Sequence, residues 1–232
     1  MNEEFTFTSE AALAYEKNTR ISLPTYDALF SMVQSYFRAQ LGEKEASLLV
    51  VGAGSGNELA AWGPSNPAWT FTGVDPSEDM LKTAEDKTMQ LELENRVRLI
   101  QGTIDDVPLQ NPPFDAASCI LVLHFIHDEQ EKQNLLTSIK NRLKPGAPFV
   151  LVSANGDLDS AELHNRLNVW KSFWLDAGHD TAHLDEMIGK LKKQVSFLTD
   201  TQIEQFLTAA GFTNISRFYS TGIMAGWMCH AK

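Results

Sequence analysis

Leu48-Leu-Val-Val-Gly52-Ala53-Gly54-Ser-Gly56-Asn-Glu58 is the stretch whose reading decides the fold. An apolar strand pattern runs straight into three alternating glycines and then a helical pattern. Glycines allow the backbone to reverse tightly and to approach a ligand closely, and the helix that follows turns unpaired N–H groups toward it. The stretch predicts a nucleoside-binding turn. Dinucleotide folds use G-x-G-x-x-G, whereas here Asn57 and Glu58 follow Gly56, so a nicotinamide dehydrogenase is the least favoured reading.

The next apolar stretch, Trp69-Thr-Phe-Thr-Gly-Val-Asp75, reads as a strand closing on an acid 75 − 56 = 19 positions after the third glycine. A carboxylate there can accept both hydroxyls of a ribose. Its competing role is a helix cap, since Pro76-Ser77-Glu-Asp-Met80-Leu81 looks like a helix start.

Four motifs stand in order: V-V-G-A-G-S-G at 50–56, G-V-D-P-S-E-D-M-L at 73–81, L-I-Q-G-T-I-D-D-V-P at 99–108 and F-D-A-A-S-C-I-L-V-L-H-F-I-H at 114–127. Together they resemble the class I S-adenosylmethionine (SAM)-dependent methyltransferases. The resemblance implies SAM as cofactor and S-adenosylhomocysteine as product. It also implies a cofactor site made of Tyr26, Gly52, Ala53, Gly54, Gly56, Asp75, Pro76, Met80, Thr103, Ile104 and His124. The sequence departs from the pattern at Val50, where an acid usually precedes the glycines, and at Thr103, where the family usually has an adenine-contacting Asp.

Within that family, R-I-S-L-P-T-Y ending at Tyr26, L-V-L-H-F, W-K-S-F-W-L-D-A-G-H-D, F-L-T-D and A-A-G-F resemble the carboxy-SAM-dependent tRNA uridine enzymes and their neighbours. The resemblance implies Tyr26 near the methionine tail and His124 beside the ribose or sulfonium. It implies a cation at the extra carboxylate of carboxy-SAM, a position such enzymes fill with Arg. Lys190 is the nearest match, and a flexible point charge in place of a planar clamp favours ordinary SAM.

A chain of 232 residues can bury a full single-domain core. Its 19 Lys and Arg against 30 Asp and Glu, net −11, disfavour a nucleic-acid partner held through phosphates. Two cysteines, Cys119 and Cys229, suggest a reducing compartment. The longest apolar run, 116–125, is too short to cross a bilayer, and the acidic start Met1-Asn-Glu-Glu is unlike a signal peptide. The expected location is cytoplasmic, with no membrane partner and with room for a homodimer.

Alternating patterns predict helices over 8–41, strand 47–51, a helix from 56, strand 69–75, helix 77–92, strands 97–101 and 115–123, a helix capped by Asp128 and Glu131, and strand 149–153. A helix opening at Thr199-x-x-Gln202 and stopping at Gly211 follows, then a hairpin of 213–220 and 222–231. The expected fold is α/β and Rossmann-like: a doubly wound, mostly parallel seven-stranded sheet with an antiparallel C-terminal hairpin and a helical cover. One domain is expected, divided into a helical cap (1–45), a SAM-binding core (46–156), a helical insertion (157–199) and a last helix with hairpin (200–232).

Methyl transfer from a sulfonium needs mainly positioning and, where the acceptor loses a proton, a base. His124 and His127 follow the fourth strand at the ligand-binding edge, and His124 is the catalytic candidate; its competing role is packing. Trp170, Phe173 and Trp174 share a helix face in the insertion and are candidates for the acceptor wall, with His164, Asn168 and Lys171 as polar companions. The alternative for that stripe is ordinary core. His179 and His183 with Asp180 and Asp185 lack a convincing third ligand, so no metal is expected. The leading function is methyl transfer from SAM to a small-molecule acceptor. The alternatives are tRNA wobble-uridine modification with carboxy-SAM, or a non-catalytic SAM-binding subunit of which Val50 and Thr103 would be traces.

Overall fold

Alternation along the central strands sorts their side chains onto two faces, and both faces are covered by helices. The structure, a computed structural model, describes residues 9–232, with side chains from residue 14; the acidic start at 1–4 lies outside the described residues. Helices α1 (Ser9–Ser22) and α2 (Tyr26–Leu41) precede β1 (Ala46–Val51). There follow α3 (Asn57–Trp62), β2 (Trp69–Asp75), α4 (Glu78–Gln90), β3 (Val97–Gln101), β4 (Ala116–Ile120), α5 (Glu129–Lys140) and β5 (Pro148–Ala154). Then come α6 (Ala161–Asp176), α7 (Thr181–Gln194), α8 (Asp200–Ala209) and the hairpin β6 (Phe212–Thr221) and β7 (Met224–Ala231).

The seven strands lie in the order β3-β2-β1-β4-β5-β7-β6. The first five are parallel, while β7 runs antiparallel to β5 and β6 antiparallel to β7. Leu49, Val51, Ala117, Cys119, Phe149 and Leu151 face α5 and α8. Leu48, Val50, Ala116, Val150 and Val152 face α2 and α3. That odd-even split is the strand period of two, and burial on both faces explains the near-continuous apolar runs of β1, β4 and β5. Winding reverses between β1 and β4, so the crevice at their carboxyl ends is where an open sheet of this kind takes a ligand.

Several boundaries differ from expectation, each for a local reason. β4 stops at Ile120 rather than 123, because Leu121 adopts φ 61° and the chain enters a 3₁₀ turn at Leu123–Phe125. α4 starts at Glu78 with Ser77 as its N-cap, whose hydroxyl accepts from Met80 N–H at 3.3 Å. α3 is only six residues long. Asp128 does cap α5, accepting from Glu131 N–H at 2.9 Å. Thr199 and Gln202 cap each other as a full box at α8.

Gly52 has φ +73°, and a Cβ there would run into Val122 Cγ2. Gly146 has φ +78° with open space around it. Gly146→Ala should therefore cost only the left-handed backbone strain, about 1–2 kcal/mol. Gly52→Ala should add overpacking of about 1–3 kcal/mol. Urea unfolding of the two variants checks this, and equal losses would mean that Val122 does not constrain the turn.

Candidate functional site

The ends of β1, β2 and β4, roofed by α1 and α2, enclose a cleft of about 610 Å³, within the range of roughly 300–1,000 Å³ usual for small-molecule sites. All of the predicted cofactor residues line it except Gly56 and His124. Gly56 begins α3 at φ 80°, and a Cβ there would meet Ala84 Cβ at 2.9 Å, so its lack of side chain serves the contact between α3 and α4.

Asp75 is neither a free carboxylate nor the helix cap. Its Oδ2 accepts from Gly54 N–H and its Oδ1 from Ser77 N–H, both at 2.9 Å. One side chain thus joins the glycine turn to the start of α4. Burial raises the Asp75 carboxyl above its ordinary range, against the pull of those two hydrogen bonds. The remaining lone pairs face the cleft, where a ribose diol can reach them.

α1 closes over the turn through a polar network. Glu16 accepts from Ser55 Oγ at 2.5 Å and pairs with Lys87 of α4. Lys87 Nζ donates to Asn57 Oδ1 at 2.7 Å, and Asn57 Nδ2 donates to the Tyr26 hydroxyl at 3.1 Å. Burial works against the Glu16 carboxylate, but the contacts from Lys87 and Ser55 hold it below the usual range.

The cleft wall also includes residues outside the predicted cofactor set: Tyr15, Asn57, Glu58, Asp105, Phe125, Ile126, Glu131, Asn134 and Leu135. Glu58 is only 5 % exposed. Burial pushes its carboxyl up to about 8; Asp75 adds to the rise, while its own backbone N–H and Lys87 oppose it. Four acids line the cleft, Glu58, Asp75, Asp105 and Glu131, and no Lys, Arg or His is among the described residues that do.

His124 overturns the catalytic expectation. It is 2 % exposed and absent from the cleft wall. Its Nδ1 accepts from Ala154 N–H at 3.2 Å, satisfying a donor that β4 ends too early to pair, and lies 3.4 Å from Ser153 Oγ. Burial lowers its pKa to about 3, so the ring is a neutral structural acceptor. His127 is exposed, its Nε2 3.2 Å from Gln194 O.

The aromatic stripe is corrected too. Trp170 and Trp174 are buried and Phe173 half-buried, all packed with Leu163, Leu167, Leu184 and Ile223 in a separate core, and none lines the cleft. His164 and Asn168 are exposed, and Lys171 pairs with Asp185. Lys190 is 65 % exposed and paired with Glu186 on α7, away from the cleft. His179 and His183 stack at 5.7 Å while Asp180 caps α7, and no group of three metal-ligating residues occurs among the described residues. Cys119 and Cys229 are buried thiols.

Asp75→Ala should lower the stability of the ligand-free protein by about 1.5–3 kcal/mol, the scale of one hydrogen bond to a charged group. Asp75→Asn, which keeps one acceptor, should fall in between; denaturation of the three proteins without ligand tests this. For His124 the folded state stays neutral while the unfolded ring takes a proton below its ordinary 6.5. Stability should therefore fall as pH drops from 6.5 toward 3, with a contribution of up to about 1.4 kcal/mol per pH unit. His124→Asn should remove that part of the slope, and an unchanged slope in acid denaturation would contradict the burial argument.

Residues 49–149 match the family model described as "Methyltransferase domain". Over 224 residues the chain is 24 % identical to a carboxy-S-adenosyl-L-methionine synthase of Colwellia psychrerythraea, covering 94 % of this chain and 88 % of that one. It superposes with TM-score 0.66 on a magnesium protoporphyrin IX methyltransferase from Synechocystis PCC 6803 with bound S-adenosylhomocysteine, at 14 % identity, covering 94 % and 87 % of the two chains. An O-methyltransferase family 2 protein from Planctomyces limnophilus in complex with apigenin gives TM-score 0.59 at 17 % identity, covering 83 % of this chain. This chain spans about half the length of that protein, 51 %. Residues 49–149 thus match a methyltransferase domain, and the whole chain shares its fold with these methyltransferases.

Proposed function

We propose that the protein transfers the methyl group of SAM to a small, neutral or cationic acceptor. The observation that carries this reading is the charge of the cleft: four carboxyl-bearing side chains and no cation among its described lining residues. SAM supplies a methyl on a sulfonium, an excellent leaving group. The chain's own part is to hold the ribose at Asp75, enclose the reacting centre between the turn and α1, and exclude water with Val122, Phe125 and Ile126. No histidine among the described residues faces the reaction, and burial pushes the Tyr15 phenol up to about 12 and the Tyr26 phenol higher still. An acceptor that is nucleophilic without prior loss of a proton suits such a site.

The likeness to a carboxy-SAM synthase over nearly the whole chain supports a second reading, in which the cofactor handled is carboxy-SAM. Its added carboxylate would enter an acidic cleft with no partner cation, since Lys190 points elsewhere. The same acidity, with the net charge of −11, argues against a tRNA acceptor.

In calorimetry SAM should bind at least about tenfold more tightly than carboxy-SAM, equivalent to about 1.4 kcal/mol, and NAD should not bind. Recovery of carboxy-SAM as the dominant ligand on the purified protein would overturn the choice of cofactor.

A further inference from the structure

Other acids around the turn are held by groups of other residues, whereas the hydrogen bond to the Glu58 carboxyl comes from its own backbone N–H. Asp75 takes two backbone N–H groups, Glu16 has Ser55 and Lys87, and Asp105 accepts from Ser138 Oγ at 2.9 Å. Glu58 is 5 % exposed in the cleft wall, and among the described residues no cation or side-chain donor reaches its carboxyl. Lys87 is already committed to Glu16 and Asn57. A buried acid in this state awaits a cationic partner or stays protonated.

The cleft also fixes which end of the ligand that partner belongs to. Ile104 and Leu135 of the cleft wall pack in one cluster, with Asp105 tied to Ser138 of α5, and offer apolar contact to a purine, whereas Glu58 lies close to Tyr15 and Tyr26 of the helices over the turn. At Val50 the strand leading into the turn carries no acid, and Val50 itself is wholly buried.

We propose that Glu58 binds the α-ammonium of SAM, supplying from α3 the negative charge that β1 lacks. The proposal rests on the SAM reading above. Before the ammonium arrives the carboxyl holds a proton at neutral pH, because burial raises it to about 8. When the ammonium arrives, Glu58 becomes a carboxylate paired with it, and the carboxyl proton passes to solvent. The groups around Glu58 are Tyr15 of α1, Tyr26 of α2, Asp75 of β2, Lys87 of α4 and Cys119 of β4, and Lys87 in turn pairs with Glu16 of α1. Burial keeps the phenols and the thiol neutral, and contacts with Lys87 and Ser55 keep Glu16 ionised. Asp75, read as the ribose partner, is distinguished by methylthioadenosine, which carries the same ribose and no amino acid.

The test is calorimetry on the full chain at about pH 6.5, below the range of a free α-ammonium, in two buffers of different ionisation enthalpy. S-adenosylhomocysteine and 5′-methylthioadenosine share the nucleoside and thioether, and only the first carries the amino acid. Wild type should release up to about one proton on binding S-adenosylhomocysteine and none on binding methylthioadenosine. Glu58→Gln should bind S-adenosylhomocysteine roughly 10- to 100-fold more weakly, the scale of one charge-assisted hydrogen bond, with no proton released. Its affinity for methylthioadenosine should not change.

If wild type binds neither SAM nor its product, the cofactor reading fails and this proposal with it. If wild type binds both but releases no proton, or Glu58→Gln weakens both nucleosides alike, the Glu58 assignment alone is overturned. The wild-type proton count decides the matter even if the variant does not fold.

Discussion

Asp75 is the point on which the site depends, because one carboxylate holds two backbone segments in place. Gly54 N–H and Ser77 N–H both end on it, at 2.9 Å each. The glycine turn could otherwise take many conformations, since Gly52, Gly54 and Gly56 all stand at positive φ. Its shape comes from this bracket on one side and from Val122 against Gly52 on the other. A ribose diol that donated to Asp75 would therefore meet a turn already set, and ordering would cost little at the moment of binding.

The sheet and the turn were legible because their signals are local. The near-continuous apolar run of β1 and the capping residues Asp128 and Thr199 act within a few residues of themselves, and Asp75 stands at a fixed spacing from the turn. His124 misled because sequence position shows which edge of the sheet a residue reaches, not which way its ring points. The early end of β4 left Ala154 N–H in need of an acceptor, and the imidazole turned inward to supply it. The aromatic stripe misled similarly, since helical spacing marks an apolar face without naming what covers it. Glu58 was overlooked inside the quoted motif itself. Its meaning depends on burial and on which groups lie around it, neither of which a sequence displays.

The cover has a division of labour that the insertion's position in the chain did not reveal. α1 closes the cleft, with Tyr15 in its wall and Glu16 fastened to Ser55 and Lys87. The 157–199 insertion stands behind: its core of Leu163, Leu167, Trp170, Trp174 and Leu184 is joined by Ile21 of α1 and Met224 of β7. The tryptophans thus act on the site at one remove, by backing the helix that covers it.

Charge then links binding to release. SAM carries one more positive charge than its product, because the sulfonium becomes a neutral thioether when the methyl leaves. In a cleft lined by Glu58, Asp75, Asp105 and Glu131 without a described cation, that difference is felt directly. A carboxylate about 6 Å from a sulfonium, at an effective dielectric near 20, would attract it by roughly 3 kcal/mol, and the exposed Asp105 and Glu131 would contribute less through screening. The lining that draws the cofactor in therefore loses part of its hold once the methyl has moved. An apolar cleft of the same shape would have to discriminate substrate from product by a single methyl group, worth about 0.8 kcal/mol. Acidity is thus a stronger means of exchange than shape, and it explains why this cleft accumulates carboxyls where simple packing would call for apolar side chains.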